Sequence, residues 1–152
     1  MNTRMTSTGT DGTDTVGRAR LPGWERRLVA AVEATRDRPF CWGRHDCATF
    51  AFDLRREIAG GYDVAALWRG RYSTARGALR VMRRLGWQTL EAAGRDLLGE
   101  PLPSVQLAQR GDLVLANTGL GFGVCLGARV AGIAPEGLVL VPLATSALAW
   151  RI

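Results

Sequence analysis

The chain has 152 residues, a net charge of +6, 47% hydrophobic and 22% charged residues, and three cysteines. That is enough for one domain that buries its own core. It lacks the apolar run of a membrane span and an N-terminal apolar segment of secretory type, and its odd cysteine count without metal spacing argues against a disulfide framework or a zinc site. All 20 basic residues are arginine, and such a balance points either to a solvated face or to an acidic partner.

Residues 1–20 are rich in Thr, Gly, Asp and Ser and offer little to bury, so a disordered tail is expected, followed by one domain over 21–152. Pro22-Gly23-Trp24 opens a first helix to about Thr35, with Leu28, Val29 and Val32 on one face, and Pro39 lies beyond its end. A second helix starts at Cys47. Phe50, Leu54 and Ile58 recur every four residues, and Gly60-Gly61 stops the run. Asp46 is its expected N-cap, which places Cys47 in the first turn, where free N–H groups and the helix dipole favour a thiolate. Ser73 or Thr74 caps a third helix to about Leu85, with Ala75, Ala78, Leu79, Met82 and Leu85 on one face. Between Val64 and Leu90 there is no acid but six arginines: Arg69, Arg71, Arg76, Arg80, Arg83 and Arg84. They read as a solvated or partner-binding face. Nearby aromatics do not interleave with them as base stacking would need, which argues against nucleic acid.

Beyond Gly111-Asp112 charge nearly vanishes. Leu113–Ala116, Phe122–Leu126 (after a Gly119-Leu120-Gly121 turn), Val130–Ala134, Leu138–Leu143 and an edge segment from Ala147 to Ile152 read as strands, with Pro135-Glu136-Gly137 as a hairpin turn. Helices first and an antiparallel sheet second make an α+β plan. Asp112 is expected to bond within its turn. Trp42, Trp68, Trp87 and Trp150 are expected in the core, as are Cys41 and Cys125.

Trp42-Gly43-Arg44-His45-Asp46-Cys47 and Gly111-Asp112-Leu113-Val114 resemble motifs of the NlpC-type, papain-like cysteine peptidases that cut cell-wall peptides. The Trp-Gly-x-His-Asp-Cys-Ala box, Arg69 to Thr74, the Gly123–Gly127 strand and the final Ala-Trp-Arg-Ile also resemble an uncharacterised family of phage and prophage proteins. The resemblance implies a papain-like domain with helices packed on a C-terminal antiparallel sheet. It implies a tail-associated role with other tail proteins as partners, in the virion or, during assembly, in the host cytoplasm. No cofactor is expected. The enzymes' catalytic histidine aligns with Gly121, and the single histidine of the chain, His45, precedes Cys47. Two readings stay open. In one, the fold is degenerate, Cys47 is a small buried hydrophobe, His45 bonds a backbone carbonyl, and the protein is structural. In the other, Cys47 is the nucleophile and His45 the base of a hydrolase acting on peptidoglycan peptides during genome entry. An arginine-rich nucleic-acid binder is a third, weaker reading.

Overall fold

A computed structural model describes residues 19–117 and 121–152; the expected disorder at 1–18, and Gly119 and Leu120 of the expected turn, lie outside them. Four α-helices come first: α1 (Trp24–Ala34), α2 (Cys47–Ala59), α3 (Ala75–Arg84) and α4 (Leu90–Leu98). Five strands follow: β1 (Leu113–Ala116), β2 (Phe122–Cys125), β3 (Arg129–Ala134), β4 (Gly137–Pro142) and β5 (Ser146–Trp150). They form one antiparallel sheet in the order β4-β3-β2-β1-β5. The α+β plan holds, and the last segment, expected as an edge strand, pairs at the edge against β1.

Alternation along the strands divides the core into two layers. Leu113, Phe122, Val124, Ala131 and Trp150 join the main cluster with Phe52, Leu54 and Ile58 of α2. Val114, Cys125, Val130 and Ala149 form a smaller second cluster, against which Leu102 and Val105 pack. The register that puts Leu113 opposite Val124 and Trp150 fixes this division, since a slip of one residue would exchange the faces.

Three helix starts follow the same local chemistry. The side chains of Asp46, Thr74 and Thr89 accept from the backbone N–H three residues on, each satisfying a donor that the first turn leaves free. At α1 the cap is Gly23 instead, with φ +75° and no side-chain bond. Val29, expected on the buried face of α1, is exposed, whereas Leu28 is fully buried.

The α4 helix was not foreseen in the stretch between Gly86 and Gln109. Its signal is modest: Thr89 as cap, Leu90, Ala93 and Leu97 at three- and four-residue spacing, and Gly99 beyond the end. Gly94, mid-helix, obscures it by its low helix propensity. Its reason is steric, because a Cβ there would lie 2.6 Å from Cη2 of Trp150. The Trp150 indole N–H then donates to Gly99 O at 2.9 Å, tying the end of α4 to β5.

A second anchor gathers both ends of the domain. Asp112, fully buried, accepts from Arg20 at 2.8 Å, Arg151 at 3.0 Å, Ile152 N at 3.2 Å and, as expected of a turn residue, Gln109 N at 2.8 Å. Arg20, assigned to the tail by composition, is thus part of the folded domain, and its guanidinium also stacks 4.1 Å from the Trp24 ring centroid.

Replacing Gly94→Ala is expected to destabilise the protein, because the clash with Trp150, about 1–3 kcal/mol for overpacking, outweighs the roughly 1 kcal/mol gained in helix propensity. Urea unfolding followed by tryptophan fluorescence reads the sign; an unchanged or raised midpoint refutes the packing argument.

Candidate functional site

The loop before α2 is held by one carboxylate. Asp46 Oδ1 accepts from Thr49 N at 2.9 Å, and Oδ2 accepts from Gly43 N at 2.8 Å and from the Tyr72 hydroxyl. Gly43 has φ +76°, and a Cβ on it would lie 2.4 Å from Tyr72 O. Only glycine fits there, and its carbonyl accepts from Gly70 N at 2.9 Å. The Trp-Gly-x-x-Asp box and the Arg-Gly-Arg-Tyr segment are therefore two halves of one joint.

Cys47 is half-buried at the start of α2. It faces a cavity of about 380 Å3 whose lining is mostly apolar, including Trp42, Phe52, Trp87, Met82 and Leu90. Burial, reinforced by the adjacent Asp46 carboxylate, pushes the thiol up to about 11, although backbone N–H groups of Phe122, Ala48 and Cys47 pull it down. The expectation of a favoured thiolate is therefore reversed. The helix start does act in the expected direction, but desolvation and the cap's own charge outweigh it.

His45 does not meet Cys47. It is 2% exposed, its ring lies edge-on to Phe50 at 6.4 Å, and it lines a separate recess with Thr35, Arg38, Asp53 and Glu57. The two cavities share no lining residue. Burial and the nearby Arg38 charge lower the imidazole pKa, with Asp46 opposing them, and its Nε2 has no hydrogen-bond partner among the described residues. The expected bond from the ring to a carbonyl is not made by that nitrogen. What ties this loop is backbone: Cys41 N donates to His45 O at 2.9 Å, and His45 N to Cys41 O at 2.8 Å.

Gly121 closes the other side of the thiol. Its φ is +79°, and a Cβ there would stand 2.6 Å from Cys47 Sγ. Any side chain at 121 would be strained in its backbone and would collide with the sulfur.

Of the six arginines, Arg69 is structural, bonded to Asp63 at 2.7 Å and to Asp53. Arg71, Arg76, Arg80, Arg83 and Arg84 are exposed, and none forms an ion pair among the described residues. Cys125 is in the core as expected. Cys41, expected there too, is exposed, because the Cys41–His45 bridge turns it outward at the strand-like entry to the loop. Trp68, Trp87 and Trp150 are buried, while Trp42 is only partly so and lines the cavity. Tyr72 and the α4 contribution to the cavity were missed. Tyr72 had a signal in its Arg-Gly-Arg-Tyr context, but its link to Asp46 spans 26 residues and has no local pattern.

Two outcomes follow. Asp46→Ala is expected to cost about 3 kcal/mol, since it removes a helix cap and leaves Gly43 N–H and the Tyr72 hydroxyl without an acceptor; chemical denaturation measures it, and a loss no larger than that of an exposed cap contradicts the joint. Because the Cys47 and Tyr72 pKa values are both raised in the fold, stability is full below the unfolded thiol range and falls as pH climbs through about 11. Cys47→Ser should flatten that alkaline fall in a melting-temperature series from pH 7 to pH 11.

No curated protein matches the chain. Residues 19–152 match the family described as "Domain of unknown function (DUF6950)", a span that takes in every helix and strand above. The chain belongs to that family.

Proposed function

We propose that this protein is a phage or prophage tail-associated component, structural or assembly-related, on an NlpC-type papain-like scaffold that has lost its enzymatic base. The observation that carries this reading is Gly121, which leaves no room for a side chain beside the Cys47 sulfur, at the position that the sequence resemblance aligns with the enzymes' catalytic histidine. Cysteine hydrolysis needs a group that removes the thiol proton and returns it to the leaving group. The one histidine of the chain lines a different recess, and the carboxylate nearest the thiol, Asp46, is committed to three donors. That carboxylate also raises the thiol's pKa rather than lowering it. The α-helical half with a cysteine at a helix start, and the antiparallel sheet behind it, fit the scaffold, and the ordered sequence boxes support the tail association.

Iodoacetamide should label Cys47 far more slowly than exposed Cys41 at neutral pH, with a rate that keeps rising towards pH 11 as the thiolate forms. Mass spectrometry of the labelled peptides reads both sites in one sample. In a lysogen, Cys47→Ala should leave the yield of infectious particles unchanged, and the purified chain should release nothing from peptidoglycan peptides. Cleavage that Cys47→Ala abolishes would establish the hydrolase instead.

A further inference from the structure

The two edges of the sheet differ. At the β5 edge, Leu102 N donates to Ala149 O at 2.7 Å, Leu102 and Val105 pack on the adjoining cluster, and the pairing with β1 shifts register between Leu115 and Ala116. A covering segment and a bulge both blunt an edge against further pairing. The β4 edge has neither among the described residues. Its six residues pair with β3 without a register shift, and Gly137 to Pro142 include no charged residue.

The backbone groups that β4 leaves free follow from the ladder. Leu143 N donates to Ala128 O at 2.8 Å, and Leu126 N donates to Arg129 O at 2.8 Å. Bonded positions alternate in an antiparallel pair, so Val130, Gly132 and Ala134 bond to Val141, Val139 and Gly137. Leu138, Leu140 and Pro142 therefore turn their backbone groups outward. Proline has no N–H to offer, and the Pro142 carbonyl accepts from the Thr145 hydroxyl at 2.7 Å. What remains is one N–H and one C=O on each of Leu138 and Leu140, without a backbone partner among the described residues. Their side chains share a face. Leu138 packs on the main core, whereas Leu140 is 48% exposed, which leaves that face of β4 partly uncovered.

We infer that β4 is a self-association edge, on which a second copy of this chain pairs its own β4 antiparallel about a two-fold axis at Val139. That register sets Leu138 opposite Leu140 of the other copy. All four free groups of each copy are then bonded, and four leucines cover one another on one face. Charge selects a second copy as the occupant. Between Leu113 and Trp150 the chain has only two charged residues, Arg129 and Glu136. Both are exposed, and neither forms an ion pair among the described residues. Within its own copy Glu136 shares a recess with Arg36, Asp37 and Arg38. Glu136 precedes β4, and Arg129 stands in register with Pro142 at its far end. The two-fold axis puts position 136 of each copy level with position 142 of the other. Each Glu136 then faces an Arg129 across one strand, about 10 Å away from backbone to backbone. Opposite charges thus meet at both ends of the seam. Centring the pair on Leu140 instead would set Pro142, which lacks a donor, against Leu138. The seam is one strand wide, and interfaces below about 1,000 Å2 are weak, so association at high chain concentration is expected.

The test is sedimentation equilibrium of the full chain from about 1 μM to about 1 mM, the range in which so small a seam associates. A monomer–dimer equilibrium is expected. Leu140→Lys, which puts a charge on the exposed edge, should raise its dissociation constant at least roughly tenfold. Glu136→Arg should also weaken the dimer, and adding Arg129→Glu should restore it. Cross-linking reads the register. In a Cys41→Ser background, Val139→Cys should give a disulfide-linked dimer on oxidation with copper phenanthroline. That position meets its own copy in a non-hydrogen-bonded pair with Cα atoms about 4.5 Å apart, within disulfide reach. Ala147→Cys, exposed on β5, should not cross-link. If Leu140→Lys fails to fold, the charge exchange and the cross-link still decide the matter. The proposal is overturned by a monomer at every concentration, by a dimer that Leu140→Lys and Glu136→Arg leave unchanged, or by cross-linking at 147 as fast as at 139.

Discussion

The Asp46 carboxylate is the constraint on which the site depends. It caps α2, closes the loop at Gly43 and holds Tyr72 from the segment that leads into α3. Removing a buried acceptor strands every donor that converged on it, so one residue couples the helix start, the loop and one wall of the cavity. The same charge sets the chemistry next door. A negative group beside a half-buried thiol disfavours the thiolate, so the residue that builds the joint also quiets the cysteine.

The sheet completes this arrangement from the opposite side. Residue 121 enters β2 in a left-handed turn directly against the sulfur, and Phe122, the next residue, packs edge-on to Phe52 of α2 at 5.3 Å. Close approach of α2 and β2 is thus achieved by giving up a side chain at the point of contact. Gly94 does the same for α4 against Trp150. Two glycines therefore let α2 and α4 come close to the sheet.

Much of this was readable from the chain. Caps at Asp46 and Thr74, the stop at Gly60, the apolar runs between turn signals and the Pro135-Glu136 hairpin act over a few residues, and each produced the expected element within a residue or two. The elements that escaped depend on distant partners. The Gly94 in α4 makes sense only against Trp150, and Tyr72 only against Asp46. Arg69 looked like its five neighbours on the basic face until Asp53 and Asp63 were placed beside it. The ionisation of Cys47 was misjudged for a related reason. The dipole of a helix start is visible in sequence, whereas the dryness of the sulfur and the direction of the capping charge are properties of the assembled site.

The Asp112 cluster has a mechanical meaning. Arg20 enters the domain and Ile152 closes β5 at the same buried carboxylate, with the Arg20 guanidinium also donating to Ile152 O at 3.0 Å. Tension applied between these two points is carried by a compact knot of charged hydrogen bonds before it reaches any helix. Should that knot yield, β5 is the first strand exposed to the pull, since it is an edge strand held to the sheet by β1 alone. The Trp150 tether to Gly99 would then transmit the load to α4, whose Leu90, Ala93 and Leu97 line the cavity. Stretching the domain between Arg20 and Ile152 would, by this route, pull on one wall of its pocket.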